Sequence, residues 1–100
     1  MRTIIQGLNK YFDNRVRLGI MSALMVNDSV EFNALKELLG VTDGNLASHL
    51  KALEKAGLVS VQKQFVGRKP NTTYQITQEG RARFAEHINA LEILIRNSEQ

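Results

Sequence analysis

Apolar residues recur along this chain with two periods, and each change of period marks a new element. Ile4, Ile5, Leu8, Tyr11 and Phe12 fall at helical spacing and predict a helix over 3–12. Val16, Ile20, Ala23 and Leu24, widened by Leu18, Met21 and Met25, predict a second helix over 15–26, which Asp13 or Asn14 can cap. Asn27-Asp28-Ser29 breaks that pattern, and Val30-Glu31-Phe32 alternates as a short strand would. Asn33 is placed to cap a brief helix carrying Leu35, Leu38 and Leu39, which Gly40 stops. Thr42 caps the next helix, over 42–56, and Gly57 ends it. Leu58 to Phe65 alternates apolar with polar residues, as a half-buried strand should. Gly67 and Pro70 bracket a turn, and Thr72 to Thr77 returns with Tyr74 and Ile76 on one face. Thr77 then heads a last long helix over 78–96. The order read from the pattern is α-α-(β)-α-α-β-β-α.

Only Gly40 and Val41 separate the two middle helices, and so short a connection forces a steep crossing, as in helix-turn-helix units. On the second of these helices Leu46, Leu50 and Leu53 share one narrow sector, which must face the core. The opposite sector holds Gly44, Ser48, Lys51 and Lys55, with Asn45 and Ala52 on its shoulder. Small residues there would let the helix approach base edges closely. Asn45 can pair with adenine and Ser48 with any base. Lys51 and Lys55, farther along, suit phosphates. Any amphipathic surface helix has a polar outer face, so this feature alone does not decide between a DNA reader and an ordinary surface helix. His49 lies at the border of the leucine sector, where it would pack on the preceding helix or touch a phosphate.

The segment that follows tips the balance. Arg68 and Lys69 sit at the turn between the two predicted strands. An arginine on an exposed loop can enter a narrow minor groove, and Lys69, Asn71 and Thr72 could hold backbone phosphates. From Ser48 to Pro70 five basic residues (Lys51, Lys55, Lys63, Arg68, Lys69) face one acidic residue, Glu54. That segment carries a net +4 while the whole chain carries +3, so the remainder is slightly acidic. A solvated surface can cluster charge in this way, but here the cluster coincides with the helix and hairpin where a phosphate footprint would lie.

Composition narrows the alternatives. One hundred residues suit a single domain, 1–100, with one core. There is no cysteine, which excludes a disulfide framework and a thiolate metal site and agrees with a reducing cytoplasm. The two histidines, His49 and His87, fall on different predicted helices, so no metal site is expected. No Ser/His/acid set, paired carboxylates or phosphate-cradling glycine loop appears, so neither an enzyme nor a cofactor is expected. No signal-peptide pattern opens the chain, and no apolar run approaches the roughly 18 residues a membrane span needs.

The stretches Phe32–Gly40, Thr42–Val59, Gly67-Arg68-Lys69-Pro70 and Thr73-Tyr74, followed by Thr77, Gly80 and Arg81, resemble the winged-helix transcriptional regulators of the MarR and ArsR type. The resemblance spans roughly 15–91. It implies a mainly α (α+β) fold, a winged helix-turn-helix with a two-stranded β-wing and terminal dimerisation helices. It implies a cytoplasmic homodimer on double-stranded DNA, its 42–56 helix in the major groove and its 65–72 wing at the minor groove. The DNA-binding set would be Thr42, Gly44, Asn45, Ser48, His49, Lys51, Lys55, Arg68, Lys69, Asn71 and Thr72. The metal-ligand cysteines of metal-sensing members are absent, and the chain is short for a drug-sensing member.

The last helix supports the dimer. Phe84, Ile88, Leu91 and Ile95 are spaced as an a/d seam, and Leu94 adds apolar surface. Together with Ile4, Ile5, Leu8, Tyr11 and Phe12 they form the expected subunit interface, unless both terminal segments fold back on their own core. The competing function is a winged-helix module for protein or RNA contact, because fold does not dictate function.

Overall fold

The chain is described by a computed structural model over residues 4–97, with the side chain of Ile4 outside the description. Two 3-10 turns, Ile4–Gly7 and Lys10–Phe12, precede α1 (Arg15–Met25). Then come β1 (Val30–Glu31), α2 (Phe32–Leu39), α3 (Asp43–Lys55), β2 (Val59–Val66), β3 (Lys69–Ile76) and α4 (Gln78–Asn97). The strands form one antiparallel sheet in the order β1-β3-β2. Val30 opposes Tyr74 in the β1–β3 pair, and β2 and β3 pair continuously from Val59–Ile76 out to Val66–Lys69.

Local chemistry sets the boundaries. The Asn14 side chain accepts from the backbone N–H groups of Val16 and Arg17, satisfying two donors that the start of α1 leaves open. Thr42 does the same for Asn45 at the head of α3. Past the end of α3 the Gly57 N–H donates to the Glu54 carbonyl and the Leu58 N–H to the Leu53 carbonyl, the paired closure of a Schellman stop. Gly80 is required for a different reason. A Cβ there would lie 2.0 Å from the Leu58 carbonyl oxygen, so α4 can start against the α3–β2 corner only with glycine at that place. Thr77 fastens the same corner, donating to the Gly57 carbonyl and accepting from the Gly80 N–H.

The core is one cluster: Phe12 before α1, Val16, Ile20, Met21, Ala23 and Leu24 of α1, Leu35 of α2, Leu46, Leu50 and Leu53 of α3, Leu58, Val59 and Tyr74 of the sheet root, and Phe84 of α4. The three α3 leucines are at most 1% exposed, each worth about 1.5–3 kcal/mol of burial. They hold α3 with its opposite side outward.

Three boundaries differ from those the pattern predicts. Where one helix is predicted over 3–12 the chain forms two 3-10 turns, because the Asn9 side chain caps the Tyr11 N–H and restarts the backbone; Thr3 lies outside the described residues. α2 begins at Phe32 after Glu31, without a side-chain cap, so Asn33 lies inside the helix. Pro70 is a strand residue opposite Phe65, and the turn is only Gly67-Arg68. Positive φ at Gly67 (66°), with no positive φ at any non-glycine residue among those described, makes this two-residue hairpin of the II′ kind.

Candidate nucleic-acid interface

α3 presents a free outer surface. Thr42, Gly44, Asn45, Ser48, Lys51 and Lys55 are all exposed. Nothing lies within 4 Å of where a Gly44 Cβ would stand. Asp43, next to the cap, pairs with Lys36 of α2 at 2.9 Å. The carboxylate therefore has a partner within the helix-turn-helix, and it complements the positive end of the α3 dipole.

His49 is half-buried at the flank of α3, and its hydrogen-bond partner comes from α1. The Arg17 Nε–H donates to His49 Nδ1 at 3.0 Å, and an Arg17 Nη1 group reaches the Tyr11 carbonyl at 3.5 Å. Burial, and then the Arg17 charge, hold the His49 pKa below its ordinary value. Beside it runs a polar groove of about 560 Å³ between α1, the α2–α3 turn and α3, lined by Asn14, Arg15, Val41, Asn45 and His49.

The hairpin stands away from the body. Every residue from Gln62 to Pro70 is exposed, so Arg68 and Lys69 project at the tip. Asn71 and Thr72 do not share that position. They are half-buried opposite Gln64 and Lys63 and line a second groove against Phe32 and Asn33 at the start of α2. Phe65, which alternation assigns to a half-buried strand, is 74% exposed, and Val66 beside it is 62% exposed. An apolar pair thus flanks the cationic tip.

The family of the winged helix DNA-binding domain matches residues 16–95. The chain belongs to this family. It is 40% identical over 90 residues to an uncharacterised protein of Methanocaldococcus jannaschii, covering 90% of this chain and 98% of the relative. Among solved structures it is similar to a transcriptional regulator homologue from Pyrococcus horikoshii OT3, with a TM-score of 0.84 and 32% identity over 92% of this chain and 91% of the other. It is also similar to a MarR-family transcriptional regulator from Enterococcus faecalis V583, with a TM-score of 0.69 and 27% identity over 87% and 74% of the two chains. The resemblance read from the helix, cap and wing residues is therefore correct at the level of the family, and these two similar solved structures are of transcriptional regulators rather than enzymes. Among the described residues no helix is long and apolar enough to cross a membrane, and no three metal-ligating side chains gather.

The terminal segments divide differently from the predicted interface. Phe12 and Phe84 are not free for a partner. Their rings meet edge to face at 5.2 Å inside the chain's own core, at 0% and 4% exposure, because the 3-10 turns fold back onto α4. His87 completes this cluster, 5.2 Å from the Phe12 ring, and its Nδ1 accepts from the Asn9 N–H at 3.0 Å. Leu8 and Leu94 are half-buried. Ile5, Tyr11, Ile88, Leu91 and Ile95 remain exposed.

Proposed function

We propose that this protein is a homodimeric repressor that reads a pseudo-palindromic operator in double-stranded DNA. α3 enters the major groove, and the hairpin tip lies at the flanking minor groove. The observation that carries this reading is the free side of α3. Small, amide and hydroxyl side chains occupy its first two turns, lysines its last two, and leucines hold its back against the core. Asn45 and Ser48 supply hydrogen bonds to base edges. Lys51, Lys55, Arg68 and Lys69 supply the phosphate contacts that set register. The row Ile88, Leu91 and Ile95 on α4 is apolar surface for a second copy. Two copies related by a two-fold axis would present their α3 helices about 34–36 Å apart, one turn of duplex.

Selection of bound duplexes from a random pool, followed by titration across salt, tests this. Affinity should fall steeply with salt, with a log–log slope near about −0.9 per phosphate neutralised. Asn45→Ala should cost about 1–3 kcal/mol on the selected site and relax base preference there. Lys69→Ala should weaken all duplexes alike and reduce the slope by about one. A shallow slope with no enrichment of any duplex would instead mark a module for protein contact.

A further inference from the structure

We propose that Arg17 is a positioning residue that fixes His49 as a neutral Nε2–H donor, and that this donor, with Arg15, grips one backbone phosphate of the duplex in the groove between α1 and α3. The inference rests on the DNA-reading function above and adds a contact and a residue to it. Its starting point is the hydrogen bond from Arg17 Nε to His49 Nδ1. An arginine has no acceptor to offer, so Nδ1 must be the acceptor, and the ring proton must then sit on Nε2. The second contact of Arg17, to the Tyr11 carbonyl, orients the guanidinium and with it the ring.

The groove selects the ligand's charge. Its polar walls are Asn14, Arg15, Asn45 and His49, the rest is Val16, Leu39, Gly40 and Val41, and no carboxylate lines it. The charged groups placed near His49 are Arg17, which it touches, and Arg15, across the groove. Both disfavour an imidazolium and both favour an anion. The lowered pKa of His49 agrees, leaving the ring neutral at pH 7.5. Position decides the source of the anion. Asn45 and His49 are one turn apart on the helix assigned to the major groove, so the strand bordering that groove is what reaches this wall. A neutral donor on a phosphate differs from a lysine in one measurable way: it adds affinity without displacing a counterion.

The experiment titrates the selected duplex with wild type, His49→Leu, His49→Gln and Arg17→Met at several salt concentrations and at pH 6.5–8. In parallel, the ¹⁵N signals of the histidine rings are followed in the free protein. His49→Leu should lose about tenfold in affinity, the scale of one hydrogen bond to a charged group, with its salt slope unchanged. His49→Gln, whose amide nitrogen reaches a similar point, should stay within about threefold of wild type. Arg17→Met should lose affinity by a comparable factor. In that variant the ring should also leave the single Nε2–H tautomer and its pKa should rise, changes that a merely structural role would not produce. One methylphosphonate position in the duplex should weaken wild type clearly more than His49→Leu, in which only the Arg15 contact is left to lose, and this locates the phosphate.

Wild-type affinity should be flat over this pH range. A rise as pH falls would mean a cationic histidine and would overturn the proposal. So would full affinity in a folded His49→Leu protein, or a wild-type ring protonated on Nδ1. If wild type itself binds no duplex, the DNA-reading function fails first. The tautomer would still be readable in the free protein, so the two failures are distinguishable.

Discussion

Gly44 sits in the first turn of α3, where glycine weakens a helix relative to alanine, and nothing in the fold asks for it. Its φ is ordinary, and a Cβ would meet open space. On the proposed DNA-reading function, the missing Cβ leaves room for a duplex approaching from outside. Gly44→Ala should therefore stabilise the fold by about 0.5 kcal/mol in urea unfolding while weakening duplex binding. A variant that gains stability and binds as well as wild type would remove the close-approach argument. His87 makes a second prediction at this scale. Burial lowers its pKa below 6.5, with Asp13 opposing, so the folded state holds it neutral with Nδ1 accepting from Asn9. A histidine whose folded pKa is depressed contributes stability above its unfolded pKa, and this is lost as pH falls from about 6.5 through the folded value. His49 acts with the same sign. The thermal midpoint should accordingly drop between pH 7.5 and 5.5. The drop should shrink in His87→Gln, which keeps an acceptor for Asn9 but has no proton to gain. An unaltered pH dependence in that variant would count against the buried histidine.

The hairpin shows what an element can be asked to do. A two-stranded ribbon is barely stable alone, so its root is anchored by Val59 and Tyr74 in the core and by the β1 pairing. Its outer half covers nothing. Phe65→Ser should leave stability within about 0.5 kcal/mol, because the ring is already in water. The same change should weaken duplex binding roughly tenfold if the ring packs on the sugar edges of the minor groove. Equal affinity would confine the tip's role to Arg68 and Lys69. Phe65 also marks where sequence reasoning runs out. Alternation identifies a strand, but it does not say whether anything lies opposite, and here the strand outruns the body. Caps and stops were legible because their chemistry is local: Asn14, Thr42 and Gly57 act on backbone groups within a few residues. The outer face of α3 was legible for the same reason, since three leucines on one side fix what lies on the other. The Arg17–His49 bond was not. It joins residues 32 apart, and only the crossing of α1 over α3 brings them together.

At the scale of the molecule the apolar seam of α4 poses a question that periodicity could not answer: whose core does it serve? The fold divides it. Phe84 and Ala90 pack inward, whereas Ile88, Leu91 and Ile95 stay at the surface. The shape explains why. The radius of gyration is 15.3 Å, against about 13 Å for a compact chain of this length, and the long axis is 58 Å. Among the described residues of α4, Ala90 is the last that is buried, so its final two turns extend past the core. A helix end carrying isoleucine and leucine gains little from propensity alone and is stabilised when a second apolar surface covers it. The groove of Met25, Phe84, Ala85 and Ile88 between α1 and α4 continues the same surface. A partner copy using both would cover Leu91 and Ile95 across a two-fold axis. Sedimentation of wild type at micromolar concentration should then give twice the 11.2 kDa chain mass. The double variant Leu91→Lys/Ile95→Lys should sediment as the monomer with its far-ultraviolet spectrum intact, since neither side chain belongs to the chain's own core. Its affinity for the full palindrome should fall by about 10²–10⁴, the factor that tethering two half-site readers confers. Affinity for an isolated half-site should hardly change. A wild-type protein that sediments at 11.2 kDa up to high concentration would leave each α3 to read DNA alone, and the palindrome would lose its reason.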